Sequence, residues 1–260
     1  MNKRRIYNFY IYWKNRFFSL PFGNVENHAP NKFLMSKIRV KLLSLPIIYQ
    51  KIPFEHFKNF PFYRDPTERL NLIIKHEKKF KNKRILDLGS SLGFYCFSIS
   101  QLGAKECIGI DADLKSIEIC NLIKKLYHIE NIKFIKSFIT PQEIKKIGKT
   151  DITIFFSTFH HIIANKRFYP RPYGWNFKRG IAFGHEILSA ISSYSKRTYF
   201  EMGTPFDSLS WGKSLNFMLP NPVLFIENML SKHFKKVQII RRLDLTKEGQ
   251  DSRPIFLCKN

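Results

Sequence analysis

The sequence predicts an α/β protein with a doubly wound, mostly parallel sheet and an antiparallel C-terminal edge, preceded by a helical or irregular N-terminal appendage. Three observations predict it. From residue 84 onward, short apolar runs of strand length alternate with segments of helical periodicity. The first of these runs ends in a glycine-containing turn that leads directly into a helix pattern. Two final strand-like runs lie close enough in sequence to pair as a hairpin.

Residues 84–88 (RILDL) suit a buried parallel strand. Residues 94–102 read as a helix stopped by Gly103. Residues 106–110 (ECIGI) give a second strand. In residues 113–127, Leu114, Ile117, Ile119, Leu122, Ile123 and Leu126 fall mainly on one helical face. Residues 132–139 give a third strand, and residues 141–147 a short helix opened by Thr140-Pro141. Strands at 151–156 and 197–201 and helices at 181–193 and 222–233 continue the alternation. Residues 236–241 and 254–259 form the terminal hairpin.

Residues 1–83 differ in character. They hold 18 Lys and Arg against 5 Asp and Glu, a net of +13, whereas residues 84–260 hold 26 against 15, a net of +11. Prolines at 21, 30, 46, 53, 61 and 66 forbid long helices. We therefore divide the chain into an appendage, 1–83, that wraps the main domain without being independent of it, and the main domain, 84–260. The first 18 residues, with Tyr7, Phe9, Tyr10, Tyr12, Trp13, Phe17 and Phe18 among cations, would also suit an anionic membrane surface. Packing against the core is the preferred reading.

The 260 residues, 44% hydrophobic and 25% charged, exclude a disordered or collagen-like chain. No run approaches the roughly 18 apolar residues needed to cross a bilayer. Asn8, Lys14, Asn15 and Arg16 interrupt any secretory leader. The four cysteines (Cys96, Cys107, Cys120, Cys258) have neither C-x-x-C pairing nor a neighbouring His at ligand spacing, so no disulfide framework and no metal site are expected. A cytoplasmic location follows. The net charge of +24 favours a polyanionic or phosphorylated partner, although a solvated basic surface would carry it equally.

In open α/β sheets, ligands bind beyond the carboxyl ends of the strands. There the sequence places Asp87-Leu88-Gly89-Ser90-Ser91-Leu92-Gly93 after the first strand, and Asp111 after the second, 24 residues beyond Asp87. Gly89 permits a tight turn, Gly93 close packing of the following helix, and Asp111 can accept both hydroxyls of a ribose. Two glycines do not make the G-x-G-x-x-G pyrophosphate cradle. The Asp87 carboxylate would repel a pyrophosphate, whereas it suits a cationic ligand.

At these residues the chain resembles the class I S-adenosylmethionine-dependent methyltransferases, whose Rossmann-like domain it would share over roughly residues 84–260. ILDLGSSLG stands where that family has D/E-x-G-x-G-x-G after a hydrophobic strand, with Ser91 in place of the middle glycine. IGIDAD matches its second acidic position, and DITIFFSTFHHI its fourth strand. Thr67-Glu68-Arg69 resembles the S-x-x-R element of branches that include tRNA wobble-uridine modifiers. The resemblance implies S-adenosyl-L-methionine as cofactor. Asp87, Gly89, Ser90, Ser91 and Gly93 would surround its methionine part. Asp111 and Ala112 would hold the ribose and flank the adenine, and Ser137, Phe138 and Ser157 would line the remaining wall. Ser137 stands where many members place an Asp.

The fourth strand lacks both D/N-P-P-Y/F and Pro-Cys, which argues against DNA as substrate. His160 and His161 follow that strand, where an imidazole could take a proton from an acceptor hydroxyl. His160 is preferred because alternation would aim it away from a buried Phe159. Glu201 is a further candidate base or acceptor contact. Arg167, Arg171 and Trp175, in a loop of interleaved cations and aromatics, and Asp207, Ser208 and Trp211, in a long loop after the fifth strand, are the expected acceptor contacts. The reading is a methyltransferase of a small-molecule or glycan-type acceptor, with or without a phosphate, methylated on oxygen. The alternatives are tRNA modification and a non-catalytic binding module of the same fold.

Overall fold

Strands that are apolar on both faces can be satisfied only between two layers of helices. The computed structural model, which describes residues 31–164, 177–207, 212–247 and 249–260, has this arrangement. Strands β1 (Arg84–Leu88), β2 (Glu106–Asp111), β3 (Ile132–Lys136), β4 (Thr150–Phe156), β5 (Ser195–Glu201), β6 (Lys236–Arg241) and β7 (Ile255–Lys259) form one sheet in the order β3-β2-β1-β4-β5-β7-β6. The β1–β2, β2–β3, β1–β4 and β4–β5 pairs are parallel. The antiparallel component lies at the C-terminal edge, where β7 pairs with both β5 and β6. The strand order reverses between β1 and β4, which opens the ligand crevice at their carboxyl ends.

Alternation along each strand feeds two cores. Ile85, Cys107, Ile152, Ile154, Tyr199, Ile255 and Leu257 face one layer. Leu86, Leu88, Ile108, Ile110, Phe155, Phe200, Phe256 and Cys258 face the other. The first layer holds α1 (Lys32–Leu43), α2 (Thr67–Glu77), α3 (Phe94–Gln101) and α4 (Leu114–Leu126). The second holds α5 (Pro141–Ile147), α6 (Phe159–Ala164), α7 (Phe177–Tyr194) and α8 (Pro222–Ser231). Local chemistry sets the helix starts. Asp113 accepts from the Ser116 amide, Thr140 from the Glu143 amide ahead of Pro141, and Asn221 from the Leu224 amide ahead of Pro222.

Residues 31–83 share the first core rather than standing apart from it. Met35, Ile38, Leu42, Ile52, Phe54, Phe57, Leu70, Ile73 and Phe80 are buried in it. Phe54 stacks on Tyr127 at 4.0 Å between ring centroids, and α1 lies along α4 with Lys41 Nζ 2.5 Å from Glu118. Two segments differ from expectation. The third strand stops at Lys136, because the Ser137 amide turns to the Asp111 carbonyl at 3.0 Å. The run after β4 is a helix, α6, rather than a continuation of strand alternation. All four cysteines are free and buried. No helix among the described residues is long and apolar enough to cross a membrane, and no group of three or more metal-ligating side chains occurs among them.

Candidate cofactor and acceptor site

The turn after β1 is built around a close approach. Gly89 sits at φ +82°, and a Cβ there would lie 2.1 Å from Thr158 Oγ1, so the loops after β1 and β4 touch only because the residue is glycine. Gly93, at φ +75°, opens α3 against the Phe134 ring, which a Cβ would meet at 2.7 Å. The Gly89 and Ser90 amides both donate to the Ile110 carbonyl, at 2.8 and 2.9 Å. These bonds clamp the turn to the end of β2.

Asp111 completes the clamp. Its Oδ2 accepts the Ser91 amide at 2.7 Å and its Oδ1 the Asp113 amide at 2.8 Å. Ser91 adopts φ +47°, a conformation that costs a side-chain-bearing residue energy. The Asp111 bond to its amide holds the backbone in this conformation. Each carboxylate oxygen has a second lone pair, so Asp111 can still receive the hydroxyls of a ribose. Burial raises its pKa, against the opposing pull of these amide bonds.

Asp87 is 3% exposed, and among the described residues no cation pairs with it. Its hydrogen-bond contact is the Cys96 thiol, 3.9 Å away. Burial, and secondarily the Asp111 charge, raise its pKa to about 8. A buried carboxylate without a counter-charge is costly and is relieved by a cation. A ligand bearing an ammonium and a sulfonium therefore fits this turn better than one bearing a pyrophosphate. Ala112, Ser137 and Phe138 are half-buried beyond Asp111, with the Ser137 hydroxyl donating to the Phe138 carbonyl at 3.2 Å.

The carboxyl ends of β4 and β5 are wired differently. Glu201 is fully buried, with Arg69 Nε 2.5 Å from Oε2 and Arg253 Nη1 2.9 Å from Oε1. Arg253 Nε also reaches Asp207 at 3.1 Å, and its Nη1 donates to the Ser157 hydroxyl at 3.1 Å. Ser157, at φ +55°, donates its hydroxyl to Glu201 Oε1 and its amide to the Glu201 carbonyl, at 2.9 and 3.1 Å. Against the cost of burial, Arg69, Arg253 and Arg241 hold the Glu201 carboxyl down at about 2. This corrects the expectation for Glu201, since its two carboxylate oxygens are already engaged by Arg69, Arg253 and the Ser157 hydroxyl. It also corrects Asp207, which is buried and bound to Arg253 and to the Thr204 amide at 3.0 Å rather than offered to an acceptor.

The two histidines separate in the same way. His160 is buried, and its Nδ1 accepts the Gly203 amide at 3.1 Å, so it supports the chain after β5. Burial depresses its pKa well below the usual value, with the neighbouring His161 and Arg253 adding to the effect. His161 is half-buried with its ring centroid 4.2 Å from that of His160, and burial together with Arg253 lowers its pKa to about 4. The preference for His160 rested on strand alternation, a ground that the helical turn of α6 removes. Arg167, Arg171, Trp175, Ser208, Trp211 and the first 18 residues lie outside the described residues.

Sequence reasoning missed Arg253, an arginine just ahead of the apolar run of β7, and Thr158, which packs on Gly89. It noted Arg69 without its role. A lone charge beside an apolar run was the available signal for Arg253.

A model of a methyltransferase domain matches residues 79–195. The O-antigen chain terminator bifunctional methyltransferase/kinase WbdD of Escherichia coli is 28% identical over 181 residues, covering 65% of this chain and 23% of that protein. A ribosomal protein L11 methyltransferase of Fusobacterium nucleatum is 32% identical over 91 residues, covering 34% of this chain and 28% of that protein. The chain thus spans about a quarter of the length of these relatives. Among solved structures, WbdD superposes with a TM-score of 0.68 at 23% identity, over 86% of this chain and 47% of that one. The N-terminal domain of EvdMO1 with SAH bound superposes with a TM-score of 0.57 at 11% identity, over 86% of this chain and 95% of that one. These two likenesses speak to the fold. The acidic glycine turn after β1 and the acid after β2 both lie within the stretch that is similar to a methyltransferase domain, and the strand order agrees with the fold of the superposed structures.

Proposed function

We propose that this domain uses S-adenosylmethionine to methylate an oxygen of a small-molecule or glycan-type acceptor in the cytoplasm. The observation that carries the cofactor reading is the uncompensated, buried Asp87 beside the Asp111-clamped turn. The glycan-type acceptor is supported by the similarity to an O-antigen chain terminator.

The bound cofactor supplies a methyl group already activated on a sulfonium. The chain's own residues align and deprotonate. Asp87 neutralises the cationic end, the amides of residues 89–91 shape the turn, and Asp111 takes the ribose. His161 is neutral at physiological pH because its pKa is near 4, so it can accept a hydrogen bond, and then the proton, from an acceptor hydroxyl as that hydroxyl acidifies during transfer. The Glu201–Arg253–Ser157 bonds hold the wall between the two halves in place.

The test is transfer of a labelled methyl group to phosphorylated sugars and oligosaccharides, with bulk tRNA as the competing acceptor. Label in the sugar fraction upholds the proposal. The net charge of +24 favours the tRNA reading. Labelled tRNA, with binding that weakens steeply as salt is raised, would replace the glycan reading with that one.

A further inference from the structure

The inner face of α1 is core, with Met35, Ile38 and Leu42 buried. Its outer face is apolar as well. Phe33 is 74% exposed, Val40 64% and Leu43 75%, and Ile47, just past the helix, is 56% exposed. At 100° per residue Phe33 and Val40 fall within about 20° of one another, with Leu43 about 60° further round. Elsewhere among the described residues, exposed large apolar side chains such as Leu102, Leu114, Phe206 and Leu245 are scattered over separate elements. Isolated exposures need no explanation, whereas several on one helix face, interrupted only by the small Ser36, mark a contact surface.

Charge identifies the partner. Lys37 flanks the row on one side, and Lys32 and Arg39 on the other. All three are exposed, and none forms an ion pair among the described residues. The sequence has no acidic residue from 27 to 54. A second copy would bring the same cations face to face. Residues 1–30 carry five Lys and Arg against one Glu and offer these cations no charge complement either. A nucleic acid would satisfy the cations and leave the apolar row in water. An interface that takes both is the headgroup boundary of an anionic bilayer, where apolar side chains enter the acyl region and flanking cations meet lipid phosphates.

We propose that the outer face of α1 is a peripheral docking surface for an anionic lipid membrane. The helix lies parallel to the bilayer with Phe33, Val40 and Leu43 inserted and Lys32, Lys37 and Arg39 at the headgroups. Because α1 packs along α4, which starts directly after Asp111 and Asp113, the docked membrane would be one helix away from the ribose end of the crevice. The inference does not depend on the acceptor.

Flotation of the full chain with vesicles of phosphatidylcholine alone, or phosphatidylcholine mixed with phosphatidylserine, tests it. The wild type is expected to float with the mixed vesicles and to remain unbound with the neutral ones. The triple variant Phe33→Ser/Val40→Ser/Leu43→Ser is expected to bind at least about tenfold more weakly. Lys32→Glu, Lys37→Glu and Arg39→Glu are each expected to cost about fivefold or more. All six side chains are exposed, so an unchanged Tm verifies that each variant is folded. The proposal is overturned if the wild type binds neither vesicle or both equally. It is overturned too if the α1 variants bind like the wild type, which moves the contact to another segment. Loss of binding in the charge variants alone would indicate a polyanion site without insertion, and would overturn it as well.

Discussion

Two acidic residues at the carboxyl ends of β1 and β5, the strands on either side of β4, have opposite fates. Asp87, at the end of β1, is buried with no cation beside it among the described residues, and its pKa rises to about 8. Glu201, at the end of β5, is buried between Arg69 and Arg253, and its pKa falls to about 2. One carboxylate is left for a ligand to neutralise. The other is already neutralised and serves as a structural hub. Position after a parallel strand does not by itself make a residue functional, and a buried charge without a partner is the sharper pointer to a ligand.

The largest expected effect falls on the compensated side. Glu201→Ala leaves two guanidiniums buried without their partner and should cost about 3–5 kcal/mol of stability in a denaturant titration. A loss within experimental error would mean that the network is solvated in solution. The sign with pH follows from the direction of the shift. The folded value of about 2 lies below the ordinary 4.5, so the Glu201 contribution is complete above about 4.5 and is lost as pH falls through 2. Asp111→Ala comes next and should weaken S-adenosylmethionine binding by about 1–3 kcal/mol through lost ribose bonds. Unchanged affinity would mean that the ribose sits elsewhere.

Asp87 supplies the opposite pH signature. Its folded pKa is raised, so without ligand the folded state holds a proton that the unfolded state has lost, and stability falls as pH rises between about 4 and 8. A cationic ligand favours the ionised form, so binding should release a proton and tighten as pH rises from 6 to 7.5. Calorimetry in buffers of different ionisation enthalpy measures that release, and Asp87→Asn should abolish it. A release that survives the substitution would assign the proton to another group. The smallest and most selective effect concerns the histidines. His161→Ala should lower kcat while leaving cofactor affinity intact. His160→Ala should act through stability, because it removes the acceptor of the Gly203 amide. Equal kcat in wild type and His161→Ala would remove that residue from proton transfer.

How far the sequence could be read follows from the same contrast. The Asp87–Gly93 turn and Asp111 were legible because strand, turn and helix are contiguous, and the chemistry of each residue shows in its immediate neighbours. Glu201 and Asp207 were misread because their partners are remote in the chain. Arg69 lies 132 residues before Glu201, and Arg253 lies 52 residues after it. No local pattern announces that pairing. The preference between the two histidines rested on a local pattern. A period of two was continued past Phe156, where Ser157 turns into the left-handed region and a helix begins. The α1 surface escaped notice because residues 1–83 were read from their prolines as short helices and turns, without assigning faces to any one helix.

The central claim is that the uncompensated acid of β1 and the clamped acid of β2 together form an S-adenosylmethionine site. Its most direct test is calorimetric titration of the full chain with S-adenosylmethionine and S-adenosylhomocysteine, with NAD as the control. Saturable binding of the first two, weakened in Asp111→Ala and absent for NAD, is the predicted result. Binding of NAD instead, or of none of the three, would contradict the account.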